Sequence, residues 1–333
     1  MRPKVAIIYN EPSLGRYKTM GEEKAVLGVL DEVEAVHRAL AELGYPVIRI
    51  PLLPPLEQVS KSLNEAEADL VFNLFEGFDG CPETEAVVAD ILSELGLNYT
   101  GCPGTALSLA LDKMNSKARL KAAGINTPEG QLLSPENLHA FRLSYPCMVK
   151  PCAEDASHGI SEKSVVDNPA QLEEQVVRIS KLFGGRALVE EFVQGREFNV
   201  SVLGNGQLMA LPLSEITYSL PPDMPRILTF SAKWEPKSSY FQCTKAVCPA
   251  EIRIDVQERI IEAALSAFRL LSCSGYARVD IRLNAEERPE VIEVNPNPDM
   301  APGAGAANQA QAAGMTYNQF VEKIIAFAIN RES

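Results

Sequence analysis

Strands and helices alternate along the first third of the chain, and this alternation restricts the fold more than any other feature of the sequence. Residues 5–9, 47–50 and 70–74 are short apolar runs that read as strands. Between the first two, residues 22–43 carry Val26, Leu30, Val33, Leu40 and Leu43 at helical spacing, and Gly44 follows as a C-cap. Residues 83–95 repeat the helical pattern ahead of Gly96, and residues 98–100 form a further short strand. Strands separated by helices imply a parallel sheet, because a parallel pair needs a long crossover. The expectation is an N-terminal parallel α/β domain over residues 1–105.

The texture then changes. Residues 106–123 read as a helix closed by Gly124 and Pro128, followed by a strand at 147–150, a glycine-bearing loop at 153–160, a helix at 170–182 and a strand at 187–191. Antiparallel-looking strands come next, at 198–203, 207–211, 277–283 and 290–294. Asn205-Gly206 supplies a hairpin turn between the first two. This divides the remainder into units of residues 106–189 and 190–333, an α+β texture behind an α/β start. Residues 219–242 carry four prolines and little periodicity, which predicts a long functional or mobile loop. A final helix is expected at 317–330, after an Ala/Gly/Gln-rich stretch at 301–314.

Composition narrows the classes of function. The 333 residues carry a formal net charge of −13, which argues against a nucleic-acid surface, since such a surface needs a basic face. No apolar run approaches the roughly 20 residues of a membrane span. The apolar stretch Val5-Ala6-Ile7-Ile8 is too short for a secretory signal and reads as a strand. Seven cysteines are dispersed without a Cys-x-x-Cys pair, the pattern of reduced thiols, and the cytoplasm is the expected address. Three scattered histidines suggest no zinc site.

The residues richest in chemistry lie near the C-terminus. Gly275-Tyr276-Ala277-Arg278-Val279-Asp280 is followed by Glu293-Val294-Asn295-Pro296-Asn297-Pro298. Period-two alternation puts Arg278 and Asp280 on one face of a strand, and Glu293 and Asn295 on one face of the next. Paired as a hairpin, the strands would bring two carboxylates and an amide oxygen to one place. Hard oxygen donors of this kind suit Mg²⁺, or Mn²⁺, shared with substrate phosphates. Arg278 beside them could neutralise an anion in transfer. The strand pattern alone fits equally the solvated face of an ordinary hairpin, but Asn-Pro-Asn-Pro is not a sequence that a plain strand ending needs.

Arg278-x-Asp280 followed by Glu293-x-Asn295-Pro296 resembles the metal-binding signature of the ATP-grasp superfamily. Residues 312–317, Ala-Ala-Gly-Met-Thr-Tyr, resemble its D-alanine–D-alanine ligase branch. The resemblance extends over roughly residues 65–330. It implies a three-domain ATP-grasp fold with the nucleotide held between two α+β domains, and metal bound by Asp280, Glu293 and Asn295. It implies further that Lys113 and Lys150 contact ATP phosphates, and that the small-residue loop Ser157-His158-Gly159 closes over them. Glu190, Glu191 and Val193 would read adenine at a hinge strand, and Glu197 would take the ribose hydroxyls. Lys233 would close over the nucleotide, and Arg278, Lys233 and Ser157 would form the catalytic set. The implied activity is an ATP- and Mg²⁺-dependent carboxylate–amine ligase working through an acyl phosphate on small-molecule substrates such as amino acids, in a protein that is often a homodimer.

The sequence also departs from that family. Ile8-Tyr9-Asn10-Glu11-Pro12 stands where a Gly-Gly-x-Ser-x-Glu loop would be, and Asn73-Leu74-Phe75-Glu76-Gly77-Phe78-Asp79-Gly80 replaces a histidine-bearing segment, with Glu76 and Asp79 keeping acid there. Phe230-Ser231-Ala232-Lys233-Trp234 resembles Tyr-Glu-Ala-Lys-Tyr, with Trp234 in place of a hydroxyl; an indole donates a hydrogen bond but accepts none. Asp299 stands at an oxyanion-site glycine, and Ala304-Gly305 at a Ser-Leu pair that holds the second substrate's carboxylate. All these changes fall on the amino-acid side, so an altered amino-acid site is expected. They leave one alternative, a regulatory ATP-binding protein of the same fold without turnover, against which the intact Asp280, Glu293 and Asn295 speak.

Overall fold

The computed structural model describes residues 2–13, 15, 21, 23–78, 81–154 and 157–330. Asp79 lies outside them. Strands β1 (Val5–Asn10), β2 (Val47–Leu52), β3 (Leu70–Leu74) and β4 (Asn98–Tyr99) form a parallel sheet in the order β2-β1-β3-β4. Val5, Ala6, Ile7 and Ile8 are fully buried, as expected of a strand covered on both faces. The helix Glu23–Glu42 turns Val29, Val33, Val36 and Leu40 into that core. Leu30, one of the residues at helical spacing, faces outward with 42 % exposure. Gly44 takes φ +82, a left-handed C-cap conformation in which a glycine avoids the Cβ clash.

The helix expected at residues 106–123 is two helices, Gly104–Leu111 and Lys113–Ala122. Asp112 breaks it: its backbone leaves the helical region, and its carboxylate accepts the Asn115 amide at 3.0 Å. This N-cap starts a new helix at Lys113. A second, antiparallel sheet follows, with β5 (Gly130–Leu133), β6 (Cys147–Pro151), β7 (Val165–Val166) and β8 (Ala187–Glu191) in the order β5-β8-β6-β7. Helix Pro169–Phe183 packs Leu172, Val176 and Ile179 against it.

The third sheet is also antiparallel. It contains β9 (Glu197–Gly204), β10 (Met209–Ala210), β11 (Ser214–Tyr218), β12 (Thr244–Val247), β13 (Gly275–Leu283) and β14 (Pro289–Asn295), ordered β12-β11-β9-β13-β14 with β10 beside β9. The strand expected at 207–211 is confined to Met209–Ala210. Helix Ile254–Leu270 covers one face through Val256, Ile260, Ala264 and Phe268. Residues 219–242 contain two short helices, Phe230–Trp234 and Ser239–Cys243, where a loop without regular structure is expected. Thr229 and Ser238 cap them, and Ile227, Ala232 and Tyr240 form a small core with Ile160. Each helix is five residues long, too short to show a period. The Ala/Gly-rich stretch holds another helix, Gly305–Ala312, and the chain closes with Tyr317–Ile329. No helix among the described residues is long and apolar enough to cross a membrane.

Candidate active site

A cleft of about 950 Å³ opens between the second and third sheets. Its walls follow from alternation. Along β13, Ala277, Val279 and Ile281 are buried in the core, while Arg278, Asp280 and Arg282 face the cleft. Along β9, Phe198 and Val200 are buried while Glu197 faces it. The expected hairpin forms: Asp280 stands opposite Glu293 and Arg278 opposite Asn295, with a bulge immediately after Asp280. Arg278 grips Asp280 bidentately at 2.7 and 2.9 Å, and Asn199 adds a hydrogen bond to the same carboxylate at 2.7 Å.

Glu293 draws its partners from across the cleft. Its Oε2 lies 3.2 Å from Lys113 Nζ and 4.0 Å from Lys150 Nζ. The break at Asp112 makes the first contact possible, because it sets Lys113 at the head of a helix aimed into the cleft. Burial would raise the Glu293 carboxyl, but Lys113, Lys150 and Arg278 overcome it and hold the group well below the ordinary carboxylate range. Oε1 of Glu293 carries no hydrogen bond among the described residues. Two carboxylates and an amide oxygen are the donor set that Mg²⁺ takes when phosphates complete its shell, so the residues fit a divalent ion. Among the described residues no three His, Cys, Asp or Glu side chains gather to hold a metal by themselves.

Of the residues expected to contact nucleotide, Lys113, Lys150, Ser157, His158, Glu190, Glu191, Val193, Glu197 and Lys233 all line this one cleft. Gly159 does not. With φ +73 its α-carbon packs on Phe183, where a Cβ would come within 2.6 Å of the ring, so the glycine serves close packing. Ser157 also has positive φ, at +63. His158 is buried and stacks on Phe230 at 5.7 Å, joining the loop to the segment that carries Lys233. Burial, then Arg278, lowers the pKa of Lys233.

Glu190 is tied to two lysines in this geometry. Its two oxygens meet Lys117 at 2.5 Å and Lys150 at 2.6 Å, all three side chains being buried. Burial opposes its charge, yet Lys117 and Lys150 keep its pKa low. Glu191 accepts instead from the Ser144 amide at 3.4 Å. The sequence reading gave no role to Lys117, Asn199, Tyr218 or Arg282. For Asn199 and Arg282 a signal exists, since each stands two residues beyond an assigned one and shares its strand face.

The family described as D-ala D-ala ligase C-terminus matches residues 120–326, more than half of the chain. The chain belongs to the D-alanine–D-alanine ligase family. The D-alanine–D-alanine ligase of Gluconobacter oxydans is 32 % identical over 300 residues, 90 % of this chain and 93 % of its own. An uncharacterized protein of Sinorhizobium fredii is 33 % identical over 79 % of this chain and 75 % of its own. Among solved structures, D-alanine–D-alanine ligase from Bacillus anthracis complexed with ATP superposes with a TM-score of 0.74 at 21 % identity, covering 99 % of this chain and 97 % of its own. VanG D-Ala:D-Ser ligase from Enterococcus faecalis gives 0.75 at 22 % identity, covering 98 % and 100 %. These structures bear on the fold, which is ATP-grasp. The chain is an ATP-dependent, ADP-forming ligase.

The side of this ligase that faces the N-terminal sheet is built differently. Asn297 donates to the Phe75 carbonyl at 3.1 Å and to Glu85 at 2.8 Å, accepts from the Tyr276 hydroxyl at 3.3 Å, and gives its backbone N–H to Asn295 Oδ1 at 2.9 Å. That last bond leaves Asn295 one lone pair on its amide oxygen. Glu32, buried, accepts the Met300 amide at 2.6 Å, and Asp299 accepts that of Ala301 at 2.7 Å. Burial raises the pKa of both carboxyls. Trp234 rests its ring 3.2 Å from where a Cβ would stand on Gly28, in the helix Glu23–Glu42. Its indole N–H is buried without a partner among the described residues.

Proposed function

We propose that this ligase is an ATP- and Mg²⁺-dependent carboxylate–amine ligase that forms an amide through an acyl phosphate, with an amino-acid site altered from that of the D-alanine enzymes. The observation that carries the reading is the register of β13 and β14. Asp280 and Glu293 face each other in a cleft that also presents Lys113, Lys150, Lys233 and Arg278.

Asp280, Glu293 and Asn295 would hold Mg²⁺, which would offset the charge of the phosphates. Lys113 and Lys150 hold the phosphates beside Glu293 and Glu190. A substrate carboxylate oxygen attacks the γ-phosphorus in line, and the bond to the bridging oxygen breaks to release ADP. The nitrogen of the second substrate, as free amine, then attacks the acyl carbon. Phosphate leaves with the bonding pair, and the nitrogen loses a proton. Arg278, beside the hairpin, stabilises the oxyanion of the tetrahedral intermediate. Lys233, Ser157 and the Trp234 segment exclude water, which would otherwise hydrolyse the acyl phosphate. Val193 and Glu191 line the adenine end, and Glu197 takes the ribose.

Asp299 in place of an oxyanion-site glycine, and the absence of a Ser-Leu pair at Ala304-Gly305, support the altered amino-acid site. A site built around particular polar groups discriminates strongly, so changing them changes the substrate. The test is mass spectrometry of products formed from an amino-acid mixture with ATP and Mg²⁺. The expected product has the summed mass of two substrates less one water, with one ADP released per product. ADP release without any amide would overturn the ligase chemistry.

A further inference from the structure

Arg282 takes no part in the chemistry above, yet its guanidinium donates four hydrogen bonds in the cleft wall. Only 5 % of its surface is exposed. Nη1 donates to the Val193 carbonyl at 2.6 Å, and Nη2 donates to the Arg226 carbonyl. Nε and Nη2 both donate to Glu197 Oε2, at 3.2 and 2.7 Å, while the guanidinium lies 5.0 Å over the Phe192 ring. These partners come from three places: the connection after β8, the first residue of β9, and the base of the segment that carries Lys233.

We propose that Arg282 is a positioning residue that holds Glu197 for the ribose hydroxyls of ATP and ties that grip to the segment closing the cleft. The inference rests on the ribose assignment of Glu197 made above. Oε2 of Glu197 receives Arg282 and also the Tyr218 hydroxyl at 2.7 Å, which fixes the carboxylate against rotation. Oε1 carries no hydrogen bond among the described residues, and Glu197 lines the cleft. One oxygen is therefore an anchor and the other is left for a ligand. The Val193 carbonyl holds the adenine end at a set distance from that oxygen. The Arg226 carbonyl belongs to the turn before Ile227 and Leu228, which also line the cleft. Only a planar fork reaches a carboxylate and two carbonyls together; a lysine ammonium is a point donor and cannot span them.

The experiment compares binding of ATP, 2′-deoxy-ATP and 3′-deoxy-ATP by calorimetry, with Mg²⁺ and without amino-acid substrates. Wild type is expected to favour ATP by about tenfold, the worth of one hydrogen bond to a charged group. Glu197→Ala erases that preference, and Arg282→Met reduces it to about twofold. Tyr218→Phe, which removes one hydroxyl and keeps the packing, reduces it less. A loss of affinity shared equally by all three nucleotides in both Arg282→Met and Tyr218→Phe would mark a merely structural role and overturn the inference. If Glu197→Ala keeps the preference, the ribose assignment fails and the inference falls with it, a result distinct from failure at Arg282 alone.

Discussion

The two sides of the cleft solve the problem of buried charge in opposite ways. On the nucleotide side four acids meet bases: Glu190 lies between Lys117 and Lys150, Glu293 meets Lys113, Asp280 meets Arg278, and Glu197 meets Arg282. On the side facing the N-terminal sheet, Glu32 and Asp299 have backbone amides as their described donors, and burial pushes both carboxyls up. A wall of matched pairs is held in shape by its ion pairs, which suits a ligand as constant as a nucleotide. Acids whose carboxyls burial pushes up gain protons more easily than such pairs do. On the proposed reading, the difference separates a nucleotide half from an altered amino-acid half.

The severest test of the matched wall is Glu293→Gln. It removes the proposed metal ligand and the partner of Lys113 together, and substrate-dependent ADP release should fall on the order of a thousandfold, as for loss of a major transition-state contact. Circular dichroism and the melting temperature should show a folded protein, and retained turnover would remove Glu293 from the site. Glu190→Gln asks a different question of the same wall. It leaves Lys117 and Lys150 buried beside a neutral amide, so stability should drop by about 3–5 kcal/mol in denaturant unfolding. A drop below about 1 kcal/mol would mean that the lysines find other partners, and that the wall is less tightly matched than its distances suggest.

Asp299→Gly restores on the other wall the residue that the D-alanine enzymes are expected to have there. The KM for ATP should stay within about twofold, while relative use of competing amine substrates shifts by about tenfold. Competition assays read by mass spectrometry measure both. An unchanged product spectrum would erase the functional distinction between the two walls.

How much of this was legible depends on whether the signal was local. Period-two alternation and one assumed pairing were enough to bring Asp280, Glu293 and Asn295 together, and apolar runs were enough for β1 and β3. The break at Asp112 escaped, since the apolar pattern runs on through residues 106–123 while a single side chain ends the helix by capping the next. Helix Ile254–Leu270 was passed over although Val256, Ile260, Ala264 and Phe268 carry its period. Gly159 was read as part of a phosphate loop, but its contact with Phe183 comes from a helix more than twenty residues away. The pairing of Glu190 with Lys117 joins residues on a strand and a helix far apart in the chain, and no spacing rule connects them.

Lys233 sharpens the comparison further, because it stands on the segment that bridges both walls and, among the described residues, has no dedicated partner of the kind Glu190 gives Lys150. Burial and the neighbouring Arg278 lower its pKa from the ordinary lysine value of 10.5, while Asp280, Glu293 and Glu197 draw it back up. A lysine lowered in this way releases its proton more readily folded than unfolded. In the window between the folded value and 10.5 the unfolded chain therefore binds more protons, and the contribution of Lys233 to stability rises with pH. Activity should run the other way, since the charge that would meet phosphate is lost over the same window. The alkaline limb of kcat is thus expected below 10.5, and Lys233→Arg should move it upward at a modest cost in rate, because a guanidinium does not deprotonate there. Melting temperatures of wild type and Lys233→Met, measured in parallel across that window, should diverge with wild type gaining as pH rises. A kcat limb that Lys233→Arg leaves in place would assign the titration to another group and return Lys233 to a packing role between the two walls.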